Sequence, residues 1–197
     1  MLGIPDSEFH RGDAPMTKEE VRILTIAKAR IEPDAVVYDI GAGTGSLTIE
    51  AALQAPKGEV YAIERKDTAV ALLRENTRKF QLENLTVVPG LAPDACSCLP
   101  APTHVFIGGS AGNMRQILEE ILEKNPNARI VATAVTLESV AELTQCMKTI
   151  PFACTEVVSM SVAKDRKAGP YHLMMGQNPI YIFTMQGGDG QCGHFMP

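Results

Sequence analysis

The chain has 197 residues, 45% of them hydrophobic, which suits one α/β domain with short additions at its ends. A net charge of −5 offers no general attraction to a phosphate backbone, and without Trp, and with only 5% aromatic residues, there is little to stack on exposed bases; nucleic acid is a disfavoured partner. No apolar run is long enough to cross a bilayer, and the opening "MLGIPDSEFHRGDAP" lacks the basic start and apolar stretch of a secretory signal, so no membrane contact and a cytoplasmic location are expected.

The first predicted element is a helix in "TKEEVRILTIAKARI". Thr17 with Glu20 three residues later reads as a capping box, and Ile23, Leu24, Ala27 and Ile31 share one helical face. From Val36 onward short β-branched runs alternate with amphipathic stretches, the pattern of a parallel sheet with helices on its faces. The strands are "VVYDI", "EVYAI", "LTVV", "HVFI" and "RIVATA"; the helices between and after them are "SLTIEAALQ", "TAVALLRENTRKF", "NMRQILEEILEK" and "LESVAELTQCMKTI". The last third changes character. "CTEVVSMSVAK" and "NPIYIFTMQ" are β runs with no helical period between them, which predicts an antiparallel pair at one sheet edge. Residues 1–186 therefore read as a single domain with an N-terminal helix, and 187–197, "GGDGQCGHFMP", as a disordered tail. Cys96, Cys98, Cys146, Cys154 and Cys192 match neither a zinc ribbon nor a C-x-x-C pair, so reduced thiols and no metal site are expected.

The chemistry concentrates after the first strand. A strand, then G-x-G, then a helix suggests nucleotide binding, because glycines let a ligand approach the backbone beside a helix N-terminus. Here the glycines are Gly41, Gly43 and Gly45, separated by Ala42 and Thr44, and Ser46 stands where a dinucleotide fingerprint wants its third glycine; NAD and FAD fit poorly. "DIGAGTG" instead resembles the motif of Rossmann-like class I S-adenosylmethionine-dependent methyltransferases along its whole length. That resemblance implies S-adenosyl-L-methionine as cofactor and a mostly parallel seven-stranded sheet with an antiparallel edge strand. Glu64 ends the second strand, about twenty residues past the turn, where a carboxylate accepts the hydroxyl hydrogens of a ribose. Gly90, Leu91 and Ala92 follow the third strand, where this fold forms its adenine pocket. Any Cβ in the turn is expected to collide with the donor.

The fourth strand ends in "FIGGSAGN". It lacks the Asp or Asn followed by Pro-Pro and an aromatic with which methylases of base nitrogens grip a flipped base. Gly108, Gly109 and Ser110 instead offer a nest of main-chain N–H groups suited to the carboxylates of a polyacidic acceptor, although a plain strand-to-helix turn reads the same way.

"IPDSEF", "PMTKEEVR", "DIGAGTGS", "AIER", "VFIGGS" and "AVTLE", in that order, resemble the precorrin C15-methyltransferase (decarboxylating) family of cobalamin biosynthesis, from about Ile4 to Gln186. The resemblance implies methylation of C15 of a corrinoid tetrapyrrole, cobalt-precorrin-6B for a stand-alone unit, with loss of the ring C acetate carboxyl. It also implies donor contacts from Thr17, Gly41 to Gly45, Glu64 and Ala92, and a homo-oligomer, a tetramer by the family's example, with functional pairing to a C5-methyltransferase. It names no catalytic acid or base. Lys164, Arg166, Lys167, Tyr171 and His172 form a basic and aromatic loop suited to a polycarboxylate. Two alternatives stand beside this: a class I methyltransferase acting on a protein carboxylate or tRNA base, and a non-catalytic donor-binding subunit.

Overall fold

Nine strands, five α-helices and two short 3-10 turns build residues 2–188, the part of the chain that the structure, a computed structural model, describes. In chain order the strands and α-helices are α1 (Glu19–Ala29), β1 (Val36–Ile40), α2 (Ser46–Gln54), β2 (Glu59–Glu64), α3 (Asp67–Lys79), β3 (Leu85–Pro89), β4 (His104–Ile107), α4 (Met114–Lys124), β5 (Arg129–Ala134), α5 (Leu137–Thr149), β6 (Cys154–Met160), β7 (Ala163–Ala168), β8 (Tyr171–Gly176) and β9 (Ile180–Gln186). Among the described residues no helix is long and apolar enough to cross a membrane.

Seven strands form one sheet in the order β3-β2-β1-β4-β5-β9-β6. All neighbours are parallel except where β9 runs against both β5 and β6, so the expected antiparallel pair does close one edge, with β9 one place in from it. Parallel strands are covered on both faces, which is why "VVYDI" and "HVFI" are almost continuously apolar and buried. Tyr38, Ile40, Val105 and Ile107 pack toward α4 and α5, while Val37, Val60 and Phe106 pack toward α1, α2 and α3. The two layers meet β1 and β4 side by side. Since β1 leads to β2 on one side and lies against β4 on the other, a crevice opens at the carboxyl ends of these strands, the position where open α/β sheets bind ligands.

Two local expectations are corrected. The capping box does not form: α1 begins at Glu19 with Lys18 at the cap position and no side-chain cap bond, because Glu20 reaches Lys164 at 2.6 Å instead. The buried face of α1 is Val21, Arg22, Thr25, Ile26 and Ala29, leaving Ile23 37% exposed. A purely apolar periodicity misses this face because its centre is a charge. Arg22 is fully buried and pairs with the equally buried Glu50 on α2 at 2.6 Å.

The stretch read as a basic loop is also regular. β7 and β8 form a separate two-stranded antiparallel hairpin, with Ala168 opposite Tyr171 and Lys164 opposite Met175. Of the predicted tail, residues 189–197 lie outside the described residues.

Candidate active site

β1 delivers the chain into a turn whose three glycines all have left-handed backbone: φ is 75° at Gly41, 57° at Gly43 and 78° at Gly45. Side chains rarely adopt that conformation. The N–H groups of Gly41 and Ala42 both donate to the Ile63 carbonyl, at 2.9 and 3.3 Å, which ties the turn to the end of β2. What a Cβ would strike here is the protein itself. At Gly41 it would lie 2.8 Å from the Gly109 backbone nitrogen, at Gly43 2.8 Å from the Pro15 carbonyl oxygen, and at Gly45 2.1 Å from the Leu73 side chain. A Cβ in this turn therefore collides with the N-terminal segment, the β4 loop and α3, whatever the cavity holds.

Beside the turn lies a cavity of about 300 Å³, at the lower end of the size range of small-molecule sites. Gly41 and Gly43 line it with Glu64, Ala92, Gly108, Gly109 and Ser110, so most of the sequence-predicted residues converge on one space. Glu64 is 8% exposed; its Oε2 accepts from the Gly43 N–H at 3.0 Å and its Oε1 from the Lys66 N–H at 2.9 Å. Ile40, Ile63, Leu91 and Ala69 add apolar wall. Thr17, Ala42, Thr44 and Gly45 do not line the cavity. The Thr17 carbonyl accepts from Arg22, Ala42 packs on the core, Gly45 starts α2, and Thr44 is buried with its carbonyl bonded to Asn76.

Below the turn Asp39 is buried and accepts from the Thr48 hydroxyl. Burial raises its carboxyl to about 6; the Thr48 bond opposes the rise and the Glu64 charge adds to it.

The predicted anion nest is partly spent within the protein. The Gly108 N–H donates to the Ile40 carbonyl at 2.9 Å, and the first amide of α4, Met114, donates to Glu142 on α5 at 3.2 Å. Gly109 faces open space, and Asn113 ties this loop to the Ala92 carbonyl at 3.2 Å. Lys164, Arg166, Lys167, Tyr171 and His172 lie off the cavity: Lys164 pairs with Glu20, and His172 lies 2.7 Å from Asp165. The cations that do line it are Arg65 and Lys66, directly after Glu64 in sequence. Sequence reasoning passed over these two, and also Asp13, Ala14 and Pro15, which reach the cavity from the N-terminal segment.

A wider groove of about 840 Å³ lies at the opposite end of the sheet, where β4, β5 and β6 begin. Three of its charges are engaged with one another or with main chain: Lys28 pairs with Glu156 at 2.7 Å, and Arg129 donates to the Lys28 carbonyl at 2.7 Å. It has neither a glycine turn nor a strand-end carboxylate, so size alone does not make it the reactive centre.

Strand order, the glycine turn at the switch point and an acidic residue closing β2 together define a Rossmann-like class I methyltransferase. Comparison with known proteins narrows the class. The family model described as a precorrin methyltransferase domain matches residues 8–187. The Sulfurisphaera tokodaii protein named "Probable cobalt-precorrin-6B C(15)-methyltransferase (decarboxylating)" is 38% identical over 183 residues, covering 91% of this chain and 95% of that one. The solved precorrin-6y C5,15-methyltransferase from Geobacter metallireducens superposes with a TM-score of 0.88 at 35% identity, covering 94% of this chain and 98% of its own. The precorrin 8W decarboxylase of Methanobacterium thermoautotrophicum superposes at 0.87 with 32% identity, over 92% and 98% of the two chains. This chain belongs to the precorrin methyltransferase family.

Proposed function

We propose that this chain, through a single domain over residues 1–186, transfers a methyl group from S-adenosyl-L-methionine to C15 of cobalt-precorrin-6B and releases carbon dioxide from the ring C acetate. The observation that carries the proposal is the carboxylate of Glu64, nearly buried on the wall of the cavity and held there by two main-chain amides. The name of the Sulfurisphaera tokodaii relative supplies the acceptor.

The residues present fit such a donor. Each oxygen of Glu64 accepts one amide and keeps capacity for a further hydrogen bond, which suits two ribose hydroxyls. Leu91 and Ala92 give a flat base an apolar wall, held in place by Asn113, and the bare backbone at Gly41 and Gly43 admits a chain lying along it. Ala42, Thr44, Gly45 and Thr17 act behind that surface, shaping the turn and the segment above it. When bound, the donor supplies an electrophilic methyl group.

The acceptor approaches past Gly108, Gly109 and Ser110, with Arg65 and Lys66 giving its carboxylates positive charge at the rim. Attack by an electron-rich macrocycle needs alignment more than proton transfer, so the protein's contribution is to hold the two reactants in line and exclude water. Decarboxylation draws on the conjugated ring as electron sink, and no side chain is assigned as general acid or base.

The expected setting is the cytoplasm, alongside an enzyme that methylates C5, and the expected assembly is a homo-oligomer joined through the hairpin. Tyr171, Leu173 and Met175 project from one face of β8, and an isolated two-stranded hairpin is marginal in water. Sedimentation of the wild type should give a multiple of 21.2 kDa, and Leu173→Ser with Met175→Ser should lower it; a monomeric wild type excludes this assembly.

For the reaction, purified protein is incubated with labelled donor and cobalt-precorrin-6B and the products are read by mass spectrometry. A corrinoid with one methyl in place of a hydrogen, a gain of CH2, and with the loss of one carbon dioxide is expected. No product, from protein that still binds S-adenosylhomocysteine by calorimetry, would leave a donor-binding subunit in place of an enzyme.

A further inference from the structure

The segment before α1 is held by two buried polar latches, one on each side of the residues that border the cavity. Asn76, on α3, is fully buried and does not line the donor cavity. Its Oδ1 accepts from the His10 N–H at 2.8 Å, and its Nδ2 donates to the His10 carbonyl at 3.1 Å and to the Thr44 carbonyl, inside the glycine turn, at 2.8 Å. One side chain thereby joins the segment to the turn. At the other end Arg22 donates to the Thr17 carbonyl at 2.6 Å and to the Ile4 carbonyl, while Glu50 pairs with it and accepts from the N–H groups of Gly3 and Ile4 at 3.0 Å each.

Between the latches the chain is largely exposed. Asp13, Ala14 and Pro15 border the cavity, and the Pro15 carbonyl stands directly over Gly43. Arg11, in the same segment, is 51% exposed in its side chain. Burying an amide and an ion pair at these points costs solvation that apolar residues would not, so their use suits directional placement of main chain better than adhesion.

We propose that Asn76 and the Arg22–Glu50 pair are positioning residues for the donor: they set the register of the strap 10–17 over the glycine turn, so that Asp13, Ala14 and Pro15 form one wall of the donor cavity and close on what it holds. The proposal rests on the reading that this cavity takes S-adenosyl-L-methionine. Neither latch touches the donor; both act through the strap.

The test uses the full chain and S-adenosylhomocysteine as probe. By calorimetry well below the melting temperature, Asn76→Ala raises Kd about tenfold or more. Asn76→Asp, which sets a buried carboxylate oxygen against the His10 and Thr44 carbonyls, raises it at least as much. Wild-type affinity in Asn76→Ala overturns the proposal, because a purely structural amide would move only the melting temperature. If Asn76→Ala does not fold, the wild type decides: tryptic cutting after Arg11, followed by mass spectrometry, slows about fivefold or more with saturating probe. An unchanged rate overturns the closing strap while leaving the donor site standing. A wild type that binds no probe overturns both the donor reading and this proposal.

Discussion

The glycine turn and the β7–β8 hairpin both carry a glycine in left-handed backbone at a reversal of the chain, yet they are held by opposite means. At the turn, Gly41 and Ala42 bond to Ile63, Gly43 to Glu64 and Thr44 to Asn76, and most of these groups are buried. The hairpin holds mainly to itself through its own ladder; its strands are almost wholly exposed, with Tyr171 at 70% and Met174 at 67%. An ion pair ties it to the body, Lys164 with Glu20, and its side chains are 43% and 33% exposed. A region that must place atoms for a reaction is constrained from several elements at once, whereas the exposed hairpin is constrained mainly along one ladder.

A matched pair of substitutions gives the largest expected contrast. Gly43 and Gly169 have nearly the same φ, 57° and 61°, but a Cβ at Gly43 meets the Pro15 carbonyl at 2.8 Å and at Gly169 meets nothing within 4 Å. Gly169→Ala should cost about 1 kcal/mol in chemical denaturation, the left-handed strain alone. Gly43→Ala should cost about 3 kcal/mol and weaken S-adenosylhomocysteine binding with little change in helical circular dichroism. Equal costs at the two sites would erase the distinction.

Next is Asp39, buried beneath the turn. Its carboxyl stands at about 6, against an ordinary 3.8. Because the folded state holds the proton more tightly, the stability from this group is fully present below about pH 4 and is lost as pH rises through 6. The cost above pH 6 is about 2–3 kcal/mol. Asp39→Asn should recover much of it at pH 7.5 and flatten the stability profile between pH 4 and 6; a profile unchanged by the substitution would show that the carboxyl is not strained.

The smallest effect is expected where the hairpin meets α1. Lys164→Ala should cost less than about 1 kcal/mol and less still in high salt, because the pair is largely solvated. A larger loss would mean that the hairpin is anchored as firmly as the turn.

Much of this was legible in advance. The five parallel strands and the four helices after β1 follow from apolar runs and helical periods, which are local properties of the chain. Gly41, Gly43 and Glu64 were equally visible, since turn geometry and the strand end dictate residue type directly. The face of α1 was not legible, because its centre, Arg22, counts as core only once Glu50 comes alongside. Nor was the hairpin: Lys164, Arg166 and Lys167 gave its first strand the composition of a loop, and only the ladder to Tyr171 through Gly176 makes it regular.

Spacing and residue type therefore settled the order of elements, the glycine turn and the acidic end of β2, because each depends on neighbours a few positions away. Folding decided which atoms fill the space around that turn: Pro15 above Gly43, Gly109 beside Gly41, Asn76 bridging His10 to Thr44, and Glu142 at the start of α4. Those contacts join residues brought near one another only when the layers pack, and no pattern along the chain records them.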